Sequence, residues 1–311
     1  MEELLPVPVS ALKYMSLEDL DIYLVHNGRT ILYKRSGIPV TDRFYEELGE
    51  GATVFYVKKA DSNKLVSEIE RSIKTLLESL PPTSAILKSV FDEVSHLVDV
   101  MLSVPSRETL KKAESISHQI ADYVETNPKA AYLMAFTLKK DFTTALHVSN
   151  VSALVSGFAY HLGYRGDDFK RLSTAALMHD IGKTKVPDEI LKKPGKLTKE
   201  EYEVIKKHTI WGGQILEKNG MRAYAPAALY HHECIDGSGY PRGLVGSRIP
   251  DDAKIVQICD VYEALVGLRP YRNPLDPFDA LSLLRDEFVL KGKVDKALYK
   301  EFLSFLYKHK E

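Results

Sequence analysis

The stretch Leu177-Met178-His179-Asp180-Ile181-Gly182-Lys183 decides how the chain is read. It sets an imidazole and a carboxylate side by side among apolar neighbours. Burying such a pair is costly unless each group is hydrogen-bonded or coordinated. Imidazole and carboxylate are also the ligand types that divalent first-row metals take from proteins. Outward from this point, five of the ten histidines, His147, His179, His208, His231 and His232, fall between residues 147 and 232, in a stretch of helical pattern. Asp260 follows the apolar run 255–259 and has Val261 and Leu265 nearby, so it too is expected to be buried and paired or coordinated.

Each residue has a plainer alternative. His147, beside Val148, Val151 and Leu154, reads alone as a hydrogen-bonded core histidine, and His231-His232-Glu233 reads alone as a solvated helix end. Lys183 shares a face with His179 if the helix continues, whereas Gly182 could end the helix and project the lysine from a loop. Taken jointly, the histidines and aspartates favour a metal site, because a helical bundle can gather ligands from several helices at one point.

Composition narrows the rest. The 311 residues are 44% hydrophobic and 27% charged, and no run approaches the ~18 apolar residues of a membrane helix. With 42 Lys and Arg against 43 Asp and Glu, bulk charge recruits neither DNA nor a membrane surface. The acidic start Met1-Glu2-Glu3 argues against a secretory signal, and two cysteines are too few for a disulfide framework, so a cytoplasmic setting is expected. The length suggests two domains, each with its own core.

The first sixty residues carry short β-branched and aromatic runs at 21–25, 30–33 and 53–57, separated by glycine- and proline-bearing turns. They predict a small α+β domain over 1–60, with one helix near 42–48. Residues 61–137 change to helical periodicity: an apolar stripe of Leu65, Ile69, Ile73, Leu76 and Leu77 ends at Pro81-Pro82. Further helices are expected over 84–102 and 107–125, with Pro128 opening another. From 138 to 311 the pattern is helical, broken by a Gly/Pro-rich stretch at 236–251. The fold class is therefore mainly α: a C-terminal all-helical bundle, a small N-terminal α+β domain and connecting helices.

Six blocks stand in a fixed order: His147-Val-Ser-Asn-Val-Ser, His179-Asp-Ile-Gly-Lys183, Val186-Pro-Asp-Glu-Ile-Leu, His208-Thr-Ile-Trp-Gly-Gly, His231-His-Glu-Cys-Ile-Asp-Gly-Ser-Gly-Tyr-Pro241 and Asp260-Val-Tyr-Glu-Ala-Leu. From about Leu138 onward they resemble the HD-GYP family, a branch of the HD-domain phosphohydrolases. The resemblance implies an all-helical domain with two divalent metal ions that hydrolyses cyclic di-GMP. His147, His179, Asp180 and Asp260 would hold one ion and His208, His231 and His232 the second, with Asp180 bridging. A metal-bound hydroxide would open the phosphodiester to linear pGpG and then GMP, and no serine or cysteine nucleophile is required. Asp180 and Lys183 would act at the reacting phosphate. Lys183, Tyr240, Arg269 and Arg272 would contact the substrate, the arginines through a planar fork suited to phosphate or a guanine edge. Iron is the ion the resemblance favours, while manganese, zinc or nickel also suit the donors.

Some positions depart from the family pattern. Thr143 stands where some members have a metal-binding glutamate, so two ions are expected rather than three. Cys234-Ile235 replace a basic and an aromatic residue, Thr209 a proline and Lys185 a glycine. Thr143 and Cys234-Ile235 keep alive an alternative in which a weakly active or inactive module binds cyclic di-GMP or protein partners, whereas Thr209 and Lys185 matter little to the chemistry. An HD hydrolase for another phosphoester is a further rival. The segment from Val7 to Lys13 and the paired runs over 28–37 are similar to a small region that precedes some HD-GYP domains. For it a regulatory role, with signalling protein partners, is expected from position alone.

Overall fold

The computed structural model describes residues 3–8, 15–26, 28–38, 54–78, 83–135, 143–269 and 272–308. The helix expected near 42–48 lies outside them. By internal contacts the chain divides into two compact units, Met1–Gln119 and Ile120–Glu311.

The first unit holds a four-stranded antiparallel sheet in the order β1-β4-β2-β3, built from β1 (Leu4–Pro8), β2 (Ile22–His26), β3 (Arg29–Lys34) and β4 (Val54–Lys58). β4 alternates, with Phe55 and Val57 buried, as a half-buried strand must. β1 pairs with it in the register Leu4↔Lys58 to Pro8↔Val54. The strand at 4–8 lies outside the runs expected as strands from the sequence. Pro6 and Pro8 lie on a strand whose only partner among the described residues is β4, and at an edge a proline nitrogen need not donate to a ladder.

Two long helices follow the sheet. α1 (Ser62–Glu78) buries Leu65, Ile69, Ile73 and Leu76 of the expected stripe and Val66 besides, while Leu77 is only half-buried. α2 (Ser84–Ser103) begins at Thr83, whose hydroxyl accepts the amide of Ile86 at 3.2 Å. α1 packs on α2 and on β4, and α2 on β1. The boundary expected at residue 60 therefore falls inside the first unit. Buried Lys34 donates to the carbonyls of Leu17, Leu20 and Arg35 at 2.8–3.1 Å, which ties the loop before β2 to the sheet.

The chain leaves the first unit along α3 (Arg107–Thr126), and α4 (Pro128–Ala135) opens on a proline as expected. The centre of the second unit is α5 (Thr144–His161), apolar on nearly all sides and packed against α4, α6 (Gly166–Met178), α11 (Asp251–Val266) and α13 (Lys296–Lys308). Phe158 on α5 meets Phe302 and Phe305 of α13 at ring separations of 5.0 and 5.7 Å. Between α6 and α11 lie the short α7 (Asp188–Leu191), α8 (Lys199–Lys206), α9 (His208–Lys218) and α10 (Ala225–Tyr230). α12 (Pro277–Leu284) follows α11. The start of α5, the end of α6, the start of α9, the end of α10 and the middle of α11 carry the predicted ligands.

Candidate metal centre

α6 stops at Met178, so His179 and Asp180 sit at its C-terminal end and Lys183 lies in a 3-10 turn over Ile181–Lys185. Gly182 explains the break. A Cβ there would lie 1.9 Å from the carbonyl oxygen of His208 and 2.5 Å from the amide nitrogen of Gly212. Only glycine lets the turn approach the start of α9 this closely, and the approach sets His208 against Asp180.

His147 comes from the first turn of α5, Asp260 from the middle of α11, and His231 and His232 directly follow α10. All seven predicted ligands converge. His179, Asp180, His208 and His231 are at most 1% exposed. Asp180 Oδ2 faces His147 Nε2 at 3.5 Å and His179 Nε2 at 3.4 Å, while Oδ1 faces His208 Nε2 at 3.3 Å and His231 Nε2 at 3.8 Å. Asp260 is divided in the same way, with Oδ1 3.1 Å from His147 Nε2 and Oδ2 3.9 Å from His232 Nδ1. Two compact sets result: ligand atoms of His208, His231 and His232 lie within 4.8 Å of one another, as do those of His147, His179 and Asp180.

The hydrogen bonds fix how the rings present themselves. His179 Nδ1 donates to Ala176 O at 2.7 Å, His208 Nδ1 to Ile205 O at 2.7 Å, and His231 Nδ1 to Ala227 O at 3.0 Å. A carbonyl only accepts, so in each neutral ring the lone pair is on Nε2, aimed at Asp180. His208 Nε2 and His231 Nε2 then face each other at 3.3 Å, lone pair to lone pair. Burial pushes the pKa of both rings down against the opposing pull of Asp180. In addition, His179 Nε2 and Asp180 Oδ1 are buried without a hydrogen-bond partner among the described residues. Divalent cations fit this donor set and satisfy these atoms.

Around His147 the balance reverses. Burial alone would lower its pKa, but Glu263, Asp180 and Asp260 together push it up to about 10, so this corner calls for positive charge. Asp180 and Asp260 are held well below the usual carboxylate range although burial opposes it, the first chiefly by Lys183 and His179, the second by His147. Lys183 Nζ contacts Asp180 Oδ2 directly.

Two carboxylates missed in the sequence organise the surroundings. Glu263, one turn after Asp260, accepts from His147 Nδ1 at 2.5 Å, Arg269 at 2.7 Å and Asn150 at 2.9 Å. It therefore presents His147 Nε2 to the centre. Glu233, fully buried, accepts the amides of Arg242 at 2.7 Å and Leu244 at 2.8 Å, anchoring the loop that carries Tyr240. Gly239 is needed in that loop, because a Cβ would lie 2.2 Å from the amide nitrogen of Cys234. The Tyr240 ring stacks on His232 at 4.8 Å, and burial pushes its phenol up, so it remains an O–H donor. Cys234 is half-buried, its thiol also pushed up by burial, and it belongs to neither ligand set.

Arg269 and Arg272 are brought together by reciprocal backbone hydrogen bonds of 3.2 Å. Arg269 turns towards Glu263, and Arg272 Nη2 donates to Ala264 O and Leu265 O at the end of α11. Arg272 Nη1 is buried with no partner among the described residues.

A family model described as HD domain matches residues 120–298. A cyclic di-GMP phosphodiesterase of Thermotoga maritima is 32% identical over 269 residues, covering 83% of this chain and 72% of its own length. The cyclic di-GMP phosphodiesterase response regulator RpfG of Xanthomonas campestris is 39% identical over 47% of the chain, and a 3'3'-cGAMP-specific phosphodiesterase of Vibrio cholerae 38% over 57%. The chain spans only 39% and 41% of the lengths of those two relatives. Among solved structures, Bd1817, a HDG"Y"P protein from Bdellovibrio bacteriovorus, shares the fold with a TM-score of 0.71 at 19% identity, over 98% of this chain and 99% of that one. Taken with the ordered histidine and aspartate motifs, the match over more than half its length means that the chain belongs to the HD-GYP branch of the HD-domain phosphohydrolases.

Proposed function

We propose that the chain is a metal-dependent phosphodiesterase acting on cyclic di-GMP, opening it to linear pGpG with GMP as the further product. One observation carries this reading: the two oxygens of Asp180 are divided between His147 and His179 on one side and His208 and His231 on the other. A carboxylate so shared can span two cations, each completed by imidazoles, with Asp260 reaching both sets. When bound, a pair of divalent ions supplies a water of lowered pKa and positive charge beside the phosphoryl oxygens.

The chain's own residues do the rest. His147, His179, Asp180 and Asp260 would hold one ion, and His208, His231 and His232 the other. Lys183, 20% exposed in its side chain, offers an ammonium to a non-bridging phosphoryl oxygen. Tyr240 donates its hydroxyl from the opposite loop. Arg269 and the spare Nη1 of Arg272 add planar donors for a dianionic ligand. Iron is the ion proposed, on family resemblance. Residues 1–60 would serve signalling partners in a cytoplasmic bacterial protein, and no helix among the described residues is long and apolar enough to cross a membrane.

Relatives named for cyclic di-GMP and for 3'3'-cGAMP define the panel to test. Metal-replete protein incubated with each dinucleotide, with products separated by chromatography, should convert cyclic di-GMP to pGpG. Intact cyclic di-GMP after prolonged incubation would contradict the proposal, and tight binding without turnover would identify a sensing module instead.

A further inference from the structure

A line of aromatic rings leaves the metal centre and ends at the surface. His208 and His232 lie 5.1 Å apart, Tyr240 stacks on His232 at 4.8 Å, and Tyr202 meets Tyr240 edge-on at 6.4 Å. Tyr202 is 47% exposed, an unusual state for a large ring in contact with a buried site. It is held firmly from below. α8 begins with a capping box between Thr198 and Glu201, and Lys193 donates to both oxygens of Glu201 at 2.7 and 2.6 Å. Tyr202 and Lys206 are four residues apart and share a face of this helix. Lys206 Nζ lies 5.6 Å from the centre of the Tyr202 ring and 5.7 Å from that of Tyr240, and Glu203 holds it by an ion pair of 2.6 Å.

We infer that Tyr202 and Lys206 form a shelf that receives a guanine base of the substrate, with the ring as stacking platform and the ammonium reading the base edge. The inference rests on the proposed nucleotide substrate and adds the residues that choose the base. Nucleobases stack on exposed aromatic faces irrespective of sequence, so Tyr202 supplies affinity rather than selectivity. Lysine has donors and no acceptor. Guanine offers two acceptors, O6 and N7, on one edge, whereas adenine places an N6 amino donor beside its N7. An ammonium above the platform therefore favours guanine over adenine. Neither residue touches the predicted ligands, so both can vary while the metal centre remains.

Equilibrium binding of GMP, AMP and ribose 5-phosphate, measured calorimetrically on the metal-replete full chain, tests the shelf without turnover. Wild type should bind GMP roughly ten- to a hundredfold more tightly than ribose 5-phosphate, the worth of one stacked base. Tyr202→Leu should close that gap by weakening GMP alone, and Tyr202→Phe should preserve it. Lys206→Met should keep GMP above ribose 5-phosphate while bringing GMP and AMP to equal affinity. Four results would overturn the inference: no GMP binding by wild type, no wild-type preference for GMP, an unchanged Tyr202→Leu or Lys206→Met protein, or a Tyr202→Leu protein that loses ribose 5-phosphate equally. Cyclic di-GMP turnover by wild type, assayed separately, tells the two readings apart. The binding pattern without turnover defeats only the hydrolase reading, and turnover without the pattern defeats only the shelf.

Discussion

Replacing Glu263 with glutamine removes one negative charge and almost no volume. In the native chain this carboxylate takes His147 Nδ1 at 2.5 Å and Arg269 at 2.7 Å on one oxygen, and Asn150 at 2.9 Å on the other. Outer carboxylates of this kind orient a ligating histidine and raise its basicity, and losing one typically costs about 10–100-fold in metal affinity. That range corresponds to about 1.4–2.8 kcal/mol. The loss should be confined to the ion held by His147, His179, Asp180 and Asp260, because Glu263 contacts no ligand of the other set. Arg269, 11% exposed in its side chain, also loses its carboxylate partner, so the metal-free protein should melt at a lower temperature. Chelator competition resolving two binding steps is the assay, with the melt of metal-free protein recorded beside it. Equal weakening of both steps would point to general damage. Affinities within twofold of wild type at both steps would refute the orienting role.

Gly182→Ala should cost at least ~1–3 kcal/mol in chemical denaturation, since its Cβ would meet backbone atoms of His208 and Gly212 that cannot turn aside. An unchanged midpoint would show that the turn is looser than described. In the first unit, burial pushes Glu93 up from 4.5 to about 8. A carboxyl raised on folding stabilises fully below its unfolded pKa and loses that contribution as pH rises, so stability should fall by about 5 kcal/mol up to pH ~8 and then level. Buried His96, pushed down to about 4, acts in the opposite sense below pH 6.5, so the slope of Glu93 is cleanest from 6.5 upward. Glu93→Gln should make the fall over that interval shallower, leaving the part due to His147, which is pushed up to about 10 and acts in the same sense; an equally steep wild-type and variant profile would rule the carboxyl out.

Much of the centre was legible because its chemistry is written locally. His179-Asp180 among apolar neighbours cannot be buried bare, and the glycines of the two loops mark where backbone must approach backbone. What escaped depends on contacts between distant segments. Glu263 lies within a quoted motif, yet its role appears only when α11 brings it to His147, 116 positions earlier. Asn150 follows His147 by three residues, but nothing in sequence says that its amide will find the same carboxylate. Lys183 could have stayed on the helix, and packing of Gly182 against α9 decided otherwise. Arg272 reads as a substrate contact from its type and spacing, while the fold also uses it to close the end of α11. Tyr202 carried no signal, since an aromatic on a short charged helix is unremarkable until its neighbours are known. The strand at 4–8 carries Pro6 and Pro8, which its edge position tolerates.

The central claim is that one carboxylate joins two cations, and metal content per chain in Asp180→Ala tests it most directly. Protein purified without oxygen and measured by elemental analysis should carry two ions per wild-type chain. With His147, His179 and the other imidazoles intact, Asp180→Ala should still lose both ions together. A variant that keeps both ions at wild-type occupancy, or that loses only one, would contradict the bridge.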